Sequence, residues 1–153
     1  VFTTPARLFR VLAIAEAITW TLLISALILR AVGQPSVLVT IAGGIHGFVF
    51  LAYGATAVLL AFHQRWHVGV AAAAIASAIV PYATVPVEIW LHRSGRLDGQ
   101  WRLTETDDPR DRTWYDRTVR WFLHHPWVLA VLILVVIIAI FSILLLIGPP
   151  GGR

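Results

Sequence analysis

The stretch VLVTIAGGIHGFVFLAYGATAVLLAF, residues 37–62, carries no formal charge along its whole length. About 20 helical residues cross the ~30 Å hydrocarbon core of a bilayer, and only helices or closed barrels satisfy their own backbone there. An uninterrupted apolar run of this length reads as a membrane helix, and that reading decides the fold class. The composition agrees: of 153 residues, 58% are hydrophobic and 13% charged, where a soluble domain carries about 25% charged residues. Too little charge is left to cover a water-facing surface. This argues against a soluble enzyme and a disordered tail, and the absence of Cys against a disulfide scaffold or thiol chemistry.

Three more apolar runs accompany it. Residues 11–29 hold one charge, Glu16; residues 68–87 are uncharged and end against Glu88; residues 126–150 are uncharged throughout. Gly33 and Pro35 mark a turn before the second run, and residues 63–67 make a tighter one before the third. The expected fold is all-α and integral to the membrane. A three-helix antiparallel bundle occupies residues 1–92, with spans near 11–29, 37–62 and 68–90. A polar linker, 93–125, leads to a separate fourth span at 126–148. Pro81 and Pro86 should kink the third helix.

The linker region is different in kind. Residues 91–125 hold seven Arg and six acids. Its centre, 104–112, reads as a solvated loop in which Asp107, Asp108 and Asp111 alternate with Arg110 and Arg112. Residues 113–125 set Trp114, Tyr115, Trp121 and Phe122 among Arg117, Arg120 and His124, the mixture of an interfacial helix. All twelve basic side chains are Arg and the net charge is +4. Most arginines flank apolar runs, where they anchor helix ends at headgroups. No basic stripe on a soluble face points to nucleic acid. Arg without Lys and abundant Ala suggest a GC-rich bacterial gene, hence a multi-pass protein of the bacterial inner membrane. Counting Arg in short loops places the 91–125 loop with Arg30 in the cytoplasm, and Arg7, Arg10, Arg65 and Arg153 on the outer side.

Polar residues inside the runs are the candidates for function. Glu16 lies about 9 Å below Arg10 along its helix. An acid at that depth costs roughly 2.5–3.5 kcal/mol on insertion scales, so it must be protonated, paired or wet. Depth counting sets Tyr53 at a similar level and His46 deeper, near the midplane. Either these form a proton or ligand site, or they are interhelical hydrogen bonds worth about 1 kcal/mol each; the latter is the commoner case. Arg30 and Glu88 fall at one interface and read as an ion pair of little net energy. Gly43 and Gly47 on the second helix, with Ala72 and Ala76 on the third, are small residues at four-residue spacing that let helices approach. His63 and His67 have zinc-ligand spacing but no third ligand nearby. No metal site, cofactor site or catalytic constellation is expected.

The segment from about residue 7 to 97 resembles DUF3817, a family of small bacterial integral membrane proteins of unknown function. The resemblance rests on Arg7, Leu8, Phe9 and Arg10 leading into Glu16. It rests also on Gly43, Gly44, Ile45, His46 and Gly47 followed by Phe50 and Tyr53, and on Pro81 at the third helix's end. Relatives tend to carry Pro-Leu-Lys-Tyr after the first helix, where this chain has Leu29, Arg30, Ala31 and Val32; any role of that Lys would fall to Arg30. The resemblance implies three membrane helices and no known chemistry, and the fourth run lies outside it. The functional expectation is a non-enzymatic accessory subunit of a larger bacterial membrane complex, such as a respiratory or envelope assembly. Its partners would be the lipid bilayer and other integral membrane subunits, met through the fourth helix. The alternative is a small proton-coupled carrier or ligand-binding protein using Glu16 and His46.

Overall fold

The computed structural model describes residues 4–104 and 112–147. Six helices follow one another: α1 Pro5–Ala31, α2 Val37–His63, α3 Val68–Ala76, α4 Thr84–Arg93, α5 Trp114–His124 and α6 Pro126–Ile147. No strand occurs among the described residues. The centre of the linker, with Asp107, Asp108 and Asp111, lies outside them, as does the end of the fourth run.

Each boundary has a local cause. Thr4 caps α1 by accepting the Arg7 amide at 3.3 Å, with Pro5 in the first turn, where its missing N–H is no loss. At the far end Gly33 takes a positive φ of 90° while its N–H and that of Gln34 return to the Arg30 and Leu29 carbonyls. This is the Schellman ending, which favours Gly because of the left-handed residue. Gly95 closes α4 in the same way, through His92 and Leu91. Arg65 does so for α2 despite its Cβ (φ 54°), with the Trp66 amide bonded to Ala61 O at 2.9 Å.

α1 and α2 form an antiparallel pair, and both are long and apolar enough to cross a membrane. Gly43 faces α1, where a Cβ would meet Leu23 Cδ1 at 3.9 Å. Gly47, one turn on, is partly buried. The third run departs from expectation: it is not one kinked span. α3 climbs beside α2 until Ser77 reaches the Tyr53 hydroxyl, at 2.9 Å. Residues 77–83 then turn, with Tyr82 at φ 66°, and α4 descends along α1. Thr84 donates to the Ala13 carbonyl at 3.0 Å, and Glu88 meets Arg10 Nε at 3.0 Å. Pro81 lies in the turn. Pro86 lies in the first turn of α4, a position that tolerates it. The two prolines thus flank a reversal, and α3–α4 is a helical hairpin reaching partway up the pair.

Three expectations fall with that reversal. Arg30 and Glu88 do not pair: Arg30 is exposed at the end of α1 opposite to Glu88, whose partner is Arg10. Ala72 and Ala76 are exposed, and the small residues that pack are Ala74, Ser77 and Ala78, because the hairpin's rotation brings that side of α3 to α2. The linker also starts beside the beginning of α1. Arg7, Arg10 and Arg65 therefore lie at the same end as Arg93, Arg96 and Arg102, and not opposite them. Among the described arginines, Arg30 alone marks the other end.

The core lies at this arginine-rich end, where Phe9, Ala13, Tyr53, Ala57, Leu60, Leu91 and Leu97 are buried together. Phe9 packs on Tyr53 and on Trp66, with ring centroids 5.0 and 6.2 Å apart. The linker is docked on it too. Trp66 Nε1 donates to Arg96 O at 2.8 Å, and Gln64 to Asp98 O at 3.0 Å. α5 turns Tyr115 toward Phe62 and leaves Trp114 and Trp121 outside. A bend of 100° at His125 separates α5 from the start of α6. α6 then runs back along α2, so it is not detached from the bundle as its sequence suggested. Leu129 and Val136 of α6 line one cavity together with Phe50 and Val58 of α2.

Candidate functional site

Glu16, Thr19 and Trp20 sit at positions i, i+3 and i+4 of α1, one face of a helix. That face meets His46 of α2. Glu16 is fully buried; its Oε2 is 3.6 Å from His46 Nδ1, and the Thr19 hydroxyl stands between them. Thr19 Oγ1 is 3.1 Å from His46 Nδ1, 3.3 Å from Glu16 Oε2 and 3.0 Å from the Glu16 carbonyl. One hydroxyl proton serves one acceptor at a time. With His46 donating from Nδ1, the Thr19 hydroxyl donates either to Glu16 Oε2 or to the Glu16 carbonyl, and in the first case the three side chains form a hydrogen-bonded relay. The Trp20 ring lies on the imidazole, centroids 4.4 Å apart. Glu16 Oε1 and Trp20 Nε1 are buried with no hydrogen-bond partner among the described residues. Such groups are costly to leave unsatisfied.

Of the three intramembrane polar residues singled out from sequence, the structure brings Glu16 and His46 together. Tyr53 belongs to another contact, with Ser77 and Phe9. Thr19 and Trp20 went unrecognised, since neutral residues in an apolar helix give no signal until a facing residue is known. Their spacing from Glu16 was the available clue.

A second polar cluster closes the arginine-rich end. His63 Nε2 accepts the Arg102 amide at 2.8 Å, and the Arg102 guanidinium bonds the His63 carbonyl. Asp116, buried on α5, accepts from Arg65 Nη2 and from Thr113 Oγ1, both at 3.0 Å, with Arg102 Nη2 at 3.6 Å. His63 Nε2 is thus engaged, while its Nδ1 is buried with no hydrogen-bond partner among the described residues. No group of three His, Cys, Asp or Glu is placed to hold a metal among the described residues. The cluster ties the linker and α5 to the end of α2.

Two long apolar helices around a buried acid and histidine define an all-helical membrane protein. The chain belongs to the family described as a domain of unknown function (DUF3817), which residues 6–93 match. It is also similar to a Streptomyces coelicolor protein that goes by the name "putative membrane protein", 37% identical over 93 residues. That match takes in 60% of this chain but only 11% of the relative's length. No solved structure matches the chain. The family boundary at residue 93 coincides with the end of α4, so α1–α4 is the shared unit and α5–α6 lies beyond it.

Proposed function

We propose that this protein is a non-enzymatic accessory subunit of a larger membrane assembly in the bacterial inner membrane. α1, α2 and α6 cross the bilayer, and α3–α4 enters and leaves on one side as a re-entrant hairpin. The clustering of arginines at one end supports a cytoplasmic position for the N-terminus, the hairpin ends and the linker, by the positive-inside rule. That keeps the linker inside, as expected from sequence, but brings the N-terminus and Arg65 inside with it and moves Arg30 to the outer side.

The observation that carries the subunit reading is the short reach of the hairpin. It leaves residues 21–31 of α1 and 37–45 of α2 as a two-helix prong burying only Ala26 and Ala42. Ile28, Val37 and Ile41 are all more than half exposed on it. A matched relative carries this unit within a polypeptide about nine times as long as the matched stretch, which supports a unit used alongside other protein. α6 offers a second contact surface, with Val131, Val135 and Ile138 exposed.

A photo-crosslinking side chain at Ile28 or Val37, in native membranes, should yield one discrete protein adduct. Adducts to lipid alone from both positions, and from Val135, would reject the subunit reading. The second reading is a proton-coupled carrier, favoured by the Glu16–Thr19–His46 relay with one carboxylate oxygen unpartnered. It predicts proton flux in liposomes, absent from the Glu16→Gln protein; no flux in the wild type rejects it.

A further inference from the structure

Three cavities adjoin along one face of α2. The outermost, about 380 Å³, is lined by Ala61, Phe62, Arg65, Trp66 and Tyr115. Phe62 and Tyr115 also wall the next, about 250 Å³, which reaches Ala55, Val58 and Leu129. Those three residues in turn wall the third, about 390 Å³, which extends to Gly54, Leu132 and Val136. The gap has a packing cause. Gly54 and Ala55 of α2 and Ala78 just beyond the end of α3 offer little bulk toward α6, and a Cβ at Gly54 would meet nothing within 4 Å.

We propose that this crevice holds one phospholipid, its phosphate at Arg65 and one acyl chain between α2 and α6. The lining follows a phospholipid's own order of chemistry. The mouth carries an arginine with a tryptophan and a tyrosine, the side chains that settle at headgroup level; beyond Phe62 the wall is apolar. Arg65 is positioned by its bond to Asp116 at 3.0 Å, and a guanidinium suits phosphate geometry. From Phe62 to Phe50 the helix rises about 18 Å, close to the ~15 Å of hydrocarbon in one leaflet. A polypeptide helix, about 10 Å across, would occupy about 1,400 Å³ over that rise, more than the three cavities hold together. The lipid thereby acts as the packing layer that joins α6 to the family unit.

The test is native mass spectrometry of the full chain, delipidated in mild detergent and titrated with dioleoylphosphatidylglycerol. One lipid should be retained per chain. Gly54→Leu fills the crevice and should weaken retention by about tenfold, equivalent to about 1.4 kcal/mol. Ala55→Leu is a second block should the first variant fail to fold. Gly44→Leu, at another open glycine of the same helix, should bind as the wild type does. Dioleoylglycerol, which lacks the phosphate, should bind about tenfold more weakly. Undiminished retention by folded Gly54→Leu or Ala55→Leu overturns the site, and equal binding of dioleoylglycerol overturns the role of Arg65. A cross-link from position 54 to another polypeptide would make the crevice a protein contact and end the lipid assignment.

Discussion

Glu88 meets Arg10 rather than Arg30, and the difference is a matter of direction more than of chemistry. A carboxylate one turn from the end of a short helix reaches whichever guanidinium lies at its level, and the reversal at residues 77–83 sets that level. Glu16 is the opposite case, because its neighbours lie on its own helix and straight across on α2, a contact that does not depend on the course of the third run. Removing its acceptor oxygens should therefore be felt locally. Glu16→Leu strands the Thr19 hydroxyl and the His46 ring and is expected to cost about 1 kcal/mol. Glu16→Gln keeps an acceptor and should melt within that margin of the wild type in detergent. Thermal melts of both variants decide; equal melting of Glu16→Leu and the wild type would show that the relay contributes nothing to the fold.

At the scale of elements, the α1–α2 pair is held by small residues and the hairpin by hydrogen bonds and core side chains. Leu23 lies against Gly43 at ordinary contact distance for a Cβ, so a single methyl fits there and a branched side chain does not. Gly43→Leu should force the helices apart and cost about 1–3 kcal/mol, as overpacking does, whereas Gly43→Ala should be nearly silent. Melting temperatures of the two purified proteins check this, and a silent Gly43→Leu would place that helix face toward lipid. The GxxxG signal was thus legible at Gly43. The small residues of the third run were not, because nine consecutive helical residues rich in Ala offer several equivalent small faces. Only contact with Tyr53 selects Ala74, Ser77 and Ala78.

On the scale of the whole molecule, the hairpin fixes which ends share a side. With no native Cys, single substitutions give a clean labelling experiment in intact cells. Arg7→Cys, Ser94→Cys and Thr118→Cys should all resist a membrane-impermeant maleimide, while Gln34→Cys should react. Labelling of Ser94→Cys together with Gln34→Cys would restore a third full span and remove the hairpin from the membrane topology. What the sequence determined by itself was the membrane class, the two long helices and the amphipathic α5. These depend on hydropathy and helical rise, which are local and additive along the chain. It left undetermined whether twenty apolar residues run on as one helix or turn halfway, since both arrangements bury the same side chains in the same solvent. The tertiary structure decided that through contacts far apart in sequence: Tyr53 with Ser77, Ala13 with Thr84 and Arg10 with Glu88. Those bonds satisfy polar groups that lipid cannot, and they exist only once α1 and α2 have presented their shared face.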